Sequence, residues 1–328
     1  MLIDVVPPES WDQLNDQMKS SLGVVNPVRI RCYRGIAQAV FEIAQGTAQF
    51  MSHKKSIGVI QGQTFAFEGL LAYYYKEVYE VVTLSHLKME NVKEWVDALK
   101  RETLFVLYSE DHPVTGELYP FVDELDKLLN DKRIFSFRIS HARHFYERVD
   151  IRPYTVRICS HSDQAAIALT GERFRSPPLI VHSATWRRGE FQEEIQKSFV
   201  GRQMVPELVT TLEQELASVA KPYFVPSAPR LMDRAVCVFE DVSAEAVALK
   251  IFAKLSISPQ EGWQKMATTN MCHWSTVKMF RHWWQPTPSL EQLRGLLLFG
   301  SEVLARKDFA KLVISSYEEV KAQQSWDV

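Results

Sequence analysis

Short apolar runs rich in β-branched and aromatic residues, separated by stretches of helical periodicity, decide most of what this chain can become. The runs are SIGVI (56–60), EVYEVVTL (77–84), TLFVLY (103–108), RIFSF (133–137), YTVRIC (154–159) and LIVHS (179–183). Amphipathic stretches lie between several of them, at 64–76, 91–101 and 117–130. Strand–helix–strand alternation predicts an α/β domain on a mostly parallel sheet. Such crossovers bring functional loops to the carboxyl ends of the strands.

The flanking segments read differently. Pro7, Pro8 and Pro27 mark residues 1–27 as an irregular N-terminal arm. A helix is expected over 28–51, where Ile36, Val40, Ile43 and Ala44 recur at helical spacing. A long helical stretch is expected over 190–219. The segment KPYFVPSAPR (221–230) holds three prolines and reads as a linker. Beyond it, a strand at 233–240, helices at 244–255 and 308–323 and a strand near 279–284 predict a smaller α+β domain. Ser289 with Gln292 forms a capping box for one more helix. The expected organisation is an arm (1–27), a large α/β domain (28–220) and a small C-terminal α+β domain (221–328).

Charge and cysteine content narrow the function classes. With 38 basic and 40 acidic residues the net charge is −2, which supplies no drive towards nucleic acid or an anionic membrane. No apolar run approaches the roughly 20 residues that span a bilayer. Cys32, Cys159, Cys237 and Cys272 are scattered without a CxxC pair. They read as reduced thiols in a cytoplasmic protein.

Ligand chemistry is expected at the strand–helix junctions. Gly62, Gln63 and Thr64 follow the first strand, where free helix-terminal N–H groups favour an anion. VTGELYPF (114–121), FRISHARHFY (137–146) and SHSDQAAIALTGERF (160–174) follow later strands. In order and approximate spacing across 58–186 these segments resemble the fold-type-I pyridoxal-phosphate enzymes, especially class I/II aminotransferases. That family shows Asn-Pro-Thr-Gly, then Asp-Glu-x-Tyr, then Ser-x-Ser-Lys followed by Gly-x-Arg.

The resemblance implies phosphate contacts from Gly62, Gln63, Thr64, Ser160, Ser162 and Arg173. It makes Arg281 the candidate for a substrate carboxylate and implies a homodimer. It also places unsuitable residues at the reactive positions. Asp163 falls on the Schiff-base lysine, Arg138 on the aspartate that pairs with the pyridine nitrogen, His141 on the tyrosine, and Pro113 on the asparagine. A transaminase needs the lysine amine, and no lysine occurs between Lys132 and Lys197. The expectation is a non-catalytic aminotransferase-like protein with an anion-binding cleft and a binding or regulatory role. Phosphate, a phosphorylated small molecule or non-covalent pyridoxal phosphate would occupy it. Arg138 and Asp163 could neutralise each other across the former ring space. The alternatives are a transferase whose lysine lies elsewhere, and an enzyme site rebuilt from His141, His161 and Asp163. The histidine spacing is not that of a metal motif.

Overall fold

The computed structural model describes residues 29–33, 35–51, 53, 56–60, 80–84, 90–112, 115–140, 151–162, 165–174, 206–223, 229–232, 234–266 and 289–324. By contacts the chain divides into two units, Met1–Glu110 with Tyr119–Val200, and Asp111–Leu118 with Gly201–Val328.

In the first unit the elements are β1 (Arg29–Tyr33), α1 (Gly35–Phe50), β2 (Ser56–Ile60), β3 (Glu80–Leu84), α2 (Val92–Ala98), β4 (Thr103–Ser109), α3 (Val122–Asp131), β5 (Phe135–Ser140), β6 (Thr155–Ser162) and β7 (Ala165–Thr170). They build a seven-stranded sheet in the order β1-β7-β6-β5-β4-β2-β3. The pairings from β3 through β2, β4 and β5 to β6 are parallel. β7 runs antiparallel to both β6 and β1. The expected α/β domain with a mostly parallel sheet is therefore what forms.

α3 is amphipathic by sequence: Val122, Leu125 and Leu129 recur at helical spacing and are buried against Val106, Tyr108 and Ile134. Asp123 and Glu124 occupy its first turn, where the helix dipole favours negative charge. Arg133 ends it with φ 58°, and the Ile134 amide donates to the Leu129 carbonyl at 2.9 Å. That bond closes a Schellman-type cap.

Three local expectations are corrected. Residues 29–33 form an edge strand, and the helix expected over 28–51 starts only at Gly35. The strand expected to end at Cys159 runs on to Ser162. The segment AAIALT, absent from the strands expected above, is the strand β7, fully buried from Ala166 to Thr170. Burial on both faces removes the alternation that would reveal a strand.

In the second unit α4 (Pro206–Glu215), β8 (Lys221–Pro222), β9 (Arg234–Val238), α5 (Ala244–Lys254), α6 (Pro259–Met266), α7 (Leu290–Gly295), β10 (Leu296–Gly300), α8 (Ser301–Leu304) and α9 (Phe309–Gln324) follow in order. The sheet is antiparallel, β10-β9-β8. Its core joins Cys237, Phe239, Ile251, Phe252, Phe299 and Val313. Val209, Leu212 and Leu216 belong to that same core, so the segment 221–230 is not the seam between the units. The Ser289 capping box forms: the Ser289 hydroxyl accepts from the Gln292 amide at 3.0 Å, and Gln292 Oε1 accepts from the Ser289 amide at 2.9 Å. The sequence reading had no strand at 296–300, because LLLFG is apolar on both faces and continues the helical run without a break.

Segment Asp111–Leu118 also belongs to the second unit. Gly116 takes φ +71° there and accepts from the Leu231 amide at 2.7 Å. That conformation favours glycine. His112 Nδ1 accepts from the Thr115 amide at 3.2 Å. Burial, with the Arg234 charge beside it, pushes the His112 pKa down to about 3.

Candidate functional site at the carboxyl half of the central strands

The segment FSFRIS alternates apolar and polar residues, so a strand must send Ser136, Arg138 and Ser140 to one face. YTVRIC does the same for Thr155 and Arg157. The parallel register then sets Arg138 directly beside Arg157, with Tyr108 on the other side of Arg138. Two buried guanidinium groups side by side repel unless an anion answers both.

Glu110, one residue beyond the end of β4, is that anion. Its Oε1 accepts from Arg138 Nε in a short ion pair and from Arg157 Nη2 at 3.0 Å. Arg157 Nε donates to Ser140 Oγ at 3.1 Å, and Arg138 Nη1 donates to Asp123 Oδ1 at 3.0 Å. Glu110 and Arg157 are almost wholly buried, whereas the Asp123 side chain is 63% exposed. Burial opposes the Arg138 charge. Glu110, Tyr108, Asp126 and Asp123 outweigh that cost and hold its pKa above the ordinary arginine value. Burial lowers the Arg157 pKa, with Glu110 opposing. Arginine remains charged in either case.

Next to this cluster lies a second buried network. Asp126 Oδ1 accepts from Ser136 Oγ at 2.5 Å, Thr155 Oγ1 at 2.7 Å and Tyr108 Oη at 3.3 Å. Asp126 Oδ2 faces Arg152 Nε at 3.4 Å. Burial first, then the Asp126 charge, raises the Tyr108 pKa well above normal, so the phenol stays protonated. Asp123, Asp126 and Asn130 thus form a polar stripe along α3, at spacings of three and four residues, facing strands that carry matching groups.

The predicted site residues fare unevenly. Arg138 lies in the carboxyl half of β5, and among the described residues its carboxylate partners are Glu110 and Asp123. The expected neutralising partner, Asp163, lies outside the described residues, as do Gly62, Gln63, Thr64, Pro113, His141 and Arg281. Ser160 and Ser162 are strand residues at the end of β6 rather than loop residues after it.

Arg173 is not brought to them. β7 returns antiparallel, so Thr170 pairs with Val156 at the opposite end of β6. The Gly171 amide donates to the Thr155 carbonyl at 2.8 Å, and the Arg173 amide to the Pro153 carbonyl at 3.0 Å. Five residues of strand, about 16 Å, separate Thr155 from Ser160. The Arg173 side chain is exposed, 3.8 Å from Glu172. The glycine of this Gly-x-Arg has a packing reason: a Cβ there would stand 2.2 Å from the Arg152 carbonyl oxygen.

Sequence reasoning missed Glu110, Asp123, Asp126 and Arg157. One signal was available. An arginine flanked by apolar residues in a strand that is covered on both faces requires a buried carboxylate. Which carboxylate it was depended on register.

No protein-family model matches the sequence, and no curated protein is similar enough to count as a relative. Solved structures do match. A NifS-like protein aligns with TM-score 0.65 at 10% identity, over 96% of this chain and 87% of that one. Histidinol-phosphate aminotransferase from Clostridium acetobutylicum aligns with TM-score 0.60 at 12% identity, over 98% and 92%. The fold is that of the fold-type-I pyridoxal-phosphate enzymes. A putative O-acetylhomoserine (thiol)-lyase from Campylobacter jejuni, whose structure contains a pyridoxyl-lysine phosphate, aligns with TM-score 0.59 at 9% identity, over 94% and 86%. At such identities the likeness establishes the pyridoxal-phosphate-enzyme fold and leaves the chemistry to the residues.

On the register that the resemblance implies, the residue types at the reactive positions do not match a covalently held cofactor. β6 ends at Ser162 and β7 begins at Ala165, so only Asp163 and Gln164 connect them. Arg138 stands where the resemblance puts an acceptor for the pyridinium N–H, and a guanidinium is only a donor.

Proposed function

We propose that this chain is a non-catalytic protein of aminotransferase-like fold that binds an anion, with a binding or regulatory role. The observation that carries the reading is the Arg138–Glu110 ion pair, bridged to Arg157, in place of the carboxylate acceptor that the cofactor's ring would need. The absence of lysine from 133–196 supports it. The ligand is phosphate or a phosphorylated small molecule, including pyridoxal phosphate held without a covalent bond. Gly62, Gln63, Thr64, Ser160 and Ser162 are the residues proposed to contact it. The protein acts as a cytoplasmic homodimer, since closed two-fold pairs are the commonest oligomers.

Purified protein mixed with pyridoxal phosphate tests this reading. Binding seen by calorimetry is expected, without the visible absorbance of an internal aldimine and without keto-acid turnover from amino donors. A carbonyl-reagent-sensitive band with turnover would overturn it in favour of a transferase whose lysine lies elsewhere. Failure of both phosphate and pyridoxal phosphate to bind would remove the anion site. Light scattering that shows a monomer would remove the dimer.

A further inference from the structure

We propose that Arg138 is a carboxylate-binding arginine and that Asp123 is the internal stand-in for its ligand. The proposal deepens the binding reading above and rests on it. The three polar edges of the Arg138 guanidinium are treated differently by the fold. Nε is committed to buried Glu110, and among the described residues Nη1 is held by Asp123 alone, whose side chain is 63% exposed. Among the described residues Nη2 has no hydrogen-bond acceptor. Glu110 is shared with Arg157, so one buried carboxylate serves two buried cations. Asp126, the other buried carboxylate nearby, is occupied by three hydroxyl groups and Arg152. Of the two carboxylates on Arg138, Glu110 is buried and Asp123 sits at the surface.

An exposed ion pair is weak because solvent screens it and its side chains remain mobile. Buried partners fix the guanidinium itself, so the fork is preorganised for a planar bidentate acceptor. A small carboxylate can replace the Asp123 carboxylate on Nη1 and extend to Nη2, with the same charge and the same planar geometry. The position lies towards the carboxyl ends of parallel strands, where an α/β sheet gathers ligands.

Acetate is the probe, titrated into 15N-labelled full-length protein and followed at the Arg138 Nε–H signal. Asp123→Asn, which keeps the shape and removes the competing charge, is expected to bind acetate about fivefold more tightly than the unchanged protein. Arg138→Gln in the same background is expected to lose that gain, and Arg138→Lys to recover only part of it, having the charge without the fork. Equal acetate affinity with and without Asp123→Asn overturns the proposal. So does a gain that persists with Arg138→Gln. Should the double variants fail to fold, the single variant decides: acetate must move the Arg138 Nε–H signal, and shifts confined to other groups overturn the assignment. Phosphate binding by the unchanged protein is measured separately. Its failure would sink the anion-cleft reading while the acetate comparison stood.

Discussion

On one face of β4, β5 and β6 lie Phe105, Leu107, Phe137, Ile139, Val156 and Ile158, all buried. On the other face, one residue along each strand, lie Tyr108, Ser136, Arg138, Thr155 and Arg157, equally inaccessible, with Glu110 just beyond the end of β4. Burial is the same and the rules are different. The apolar face is held by contact: Phe105 and Phe137 stack at 4.3 Å, and Phe174 meets Phe137 edge-on at 6.3 Å. Dispersion and hydrophobic burial have no direction, so volume is what matters there. The polar face is held by named pairs, and each lost pair strands a buried group. Among the described residues of these three strands, only the second face presents directed charge.

The sharpest way to break this contrast is to make one shape-conserving change on each face. Glu110→Gln removes the carboxylate that Arg138 and Arg157 share, and an expected loss of about 3–5 kcal/mol follows. Ile139→Leu conserves volume on the apolar face and is expected to cost under about 1.5 kcal/mol. Urea unfolding of both variants measures the difference. Comparable losses would show that the ionic cluster has no special standing. Adding Arg157→Met to Glu110→Gln is expected to return part of the loss, since one of the two adjacent buried cations is removed.

Asp126 tests whether the second network follows the same rule. Asp126→Ala deprives Ser136, Thr155 and Tyr108 of a shared acceptor. About 2–3 kcal/mol is expected, from several buried donors left partly unsatisfied. A double-mutant cycle with Ser136→Ala should reveal coupling, because the two side chains are in direct contact at 2.5 Å. Strict additivity would mean that the network is a set of independent contacts.

How far each face was legible in the sequence follows from the same physics. The apolar runs announced the strands β2, β4, β5 and β6, and the helical spacing of Val122, Leu125 and Leu129 announced α3. Local pattern carries that information. β7 and β10 were hidden because AAIALT and LLLFG are apolar on both faces, and periodicity then cannot separate strand from helix or loop. Arg138 was found as a residue of the wrong type for the family pattern. Its partner was not, because Glu110 lies 28 residues away and meets it only through the parallel register of β4 and β5. Arg173 was misplaced for a related reason: a Gly-x-Arg motif carries no record of strand direction, and the antiparallel return of β7 takes it to the far end of the sheet.

In the second unit His112 extends the rule to a titratable group. It is buried and neutral, with a pKa pushed from 6.5 down to about 3 by burial and then by Arg234. Unfolding frees the imidazole to take up a proton below 6.5. The stability it contributes is therefore full above that pH and is lost as pH falls towards the folded value. Between neutrality and pH 5 the expected loss is about 2 kcal/mol. His112→Asn keeps an acceptor for the Thr115 amide and cannot titrate, so its stability should change less over that interval. Identical slopes for the two proteins would show that His112 is not the group responsible.

The smallest expected effect is the most informative about function. Asp123 contacts Arg138 at 3.0 Å, yet its side chain is 63% exposed, while Glu110 on the same guanidinium is 3% exposed. If burial sets the strength of these pairs, Asp123→Asn should shift stability by less than about 1 kcal/mol, and added salt should shrink even that. The comparison with Glu110→Gln is internal, because both variants remove one negative charge from the same cation. A loss for Asp123→Asn close to that for Glu110→Gln would mean that Asp123 is a structural member of the cluster, unable to yield to a ligand. A small, salt-sensitive loss would mean that the fold holds Arg138 without it, leaving the outer edge of the guanidinium available for recognition.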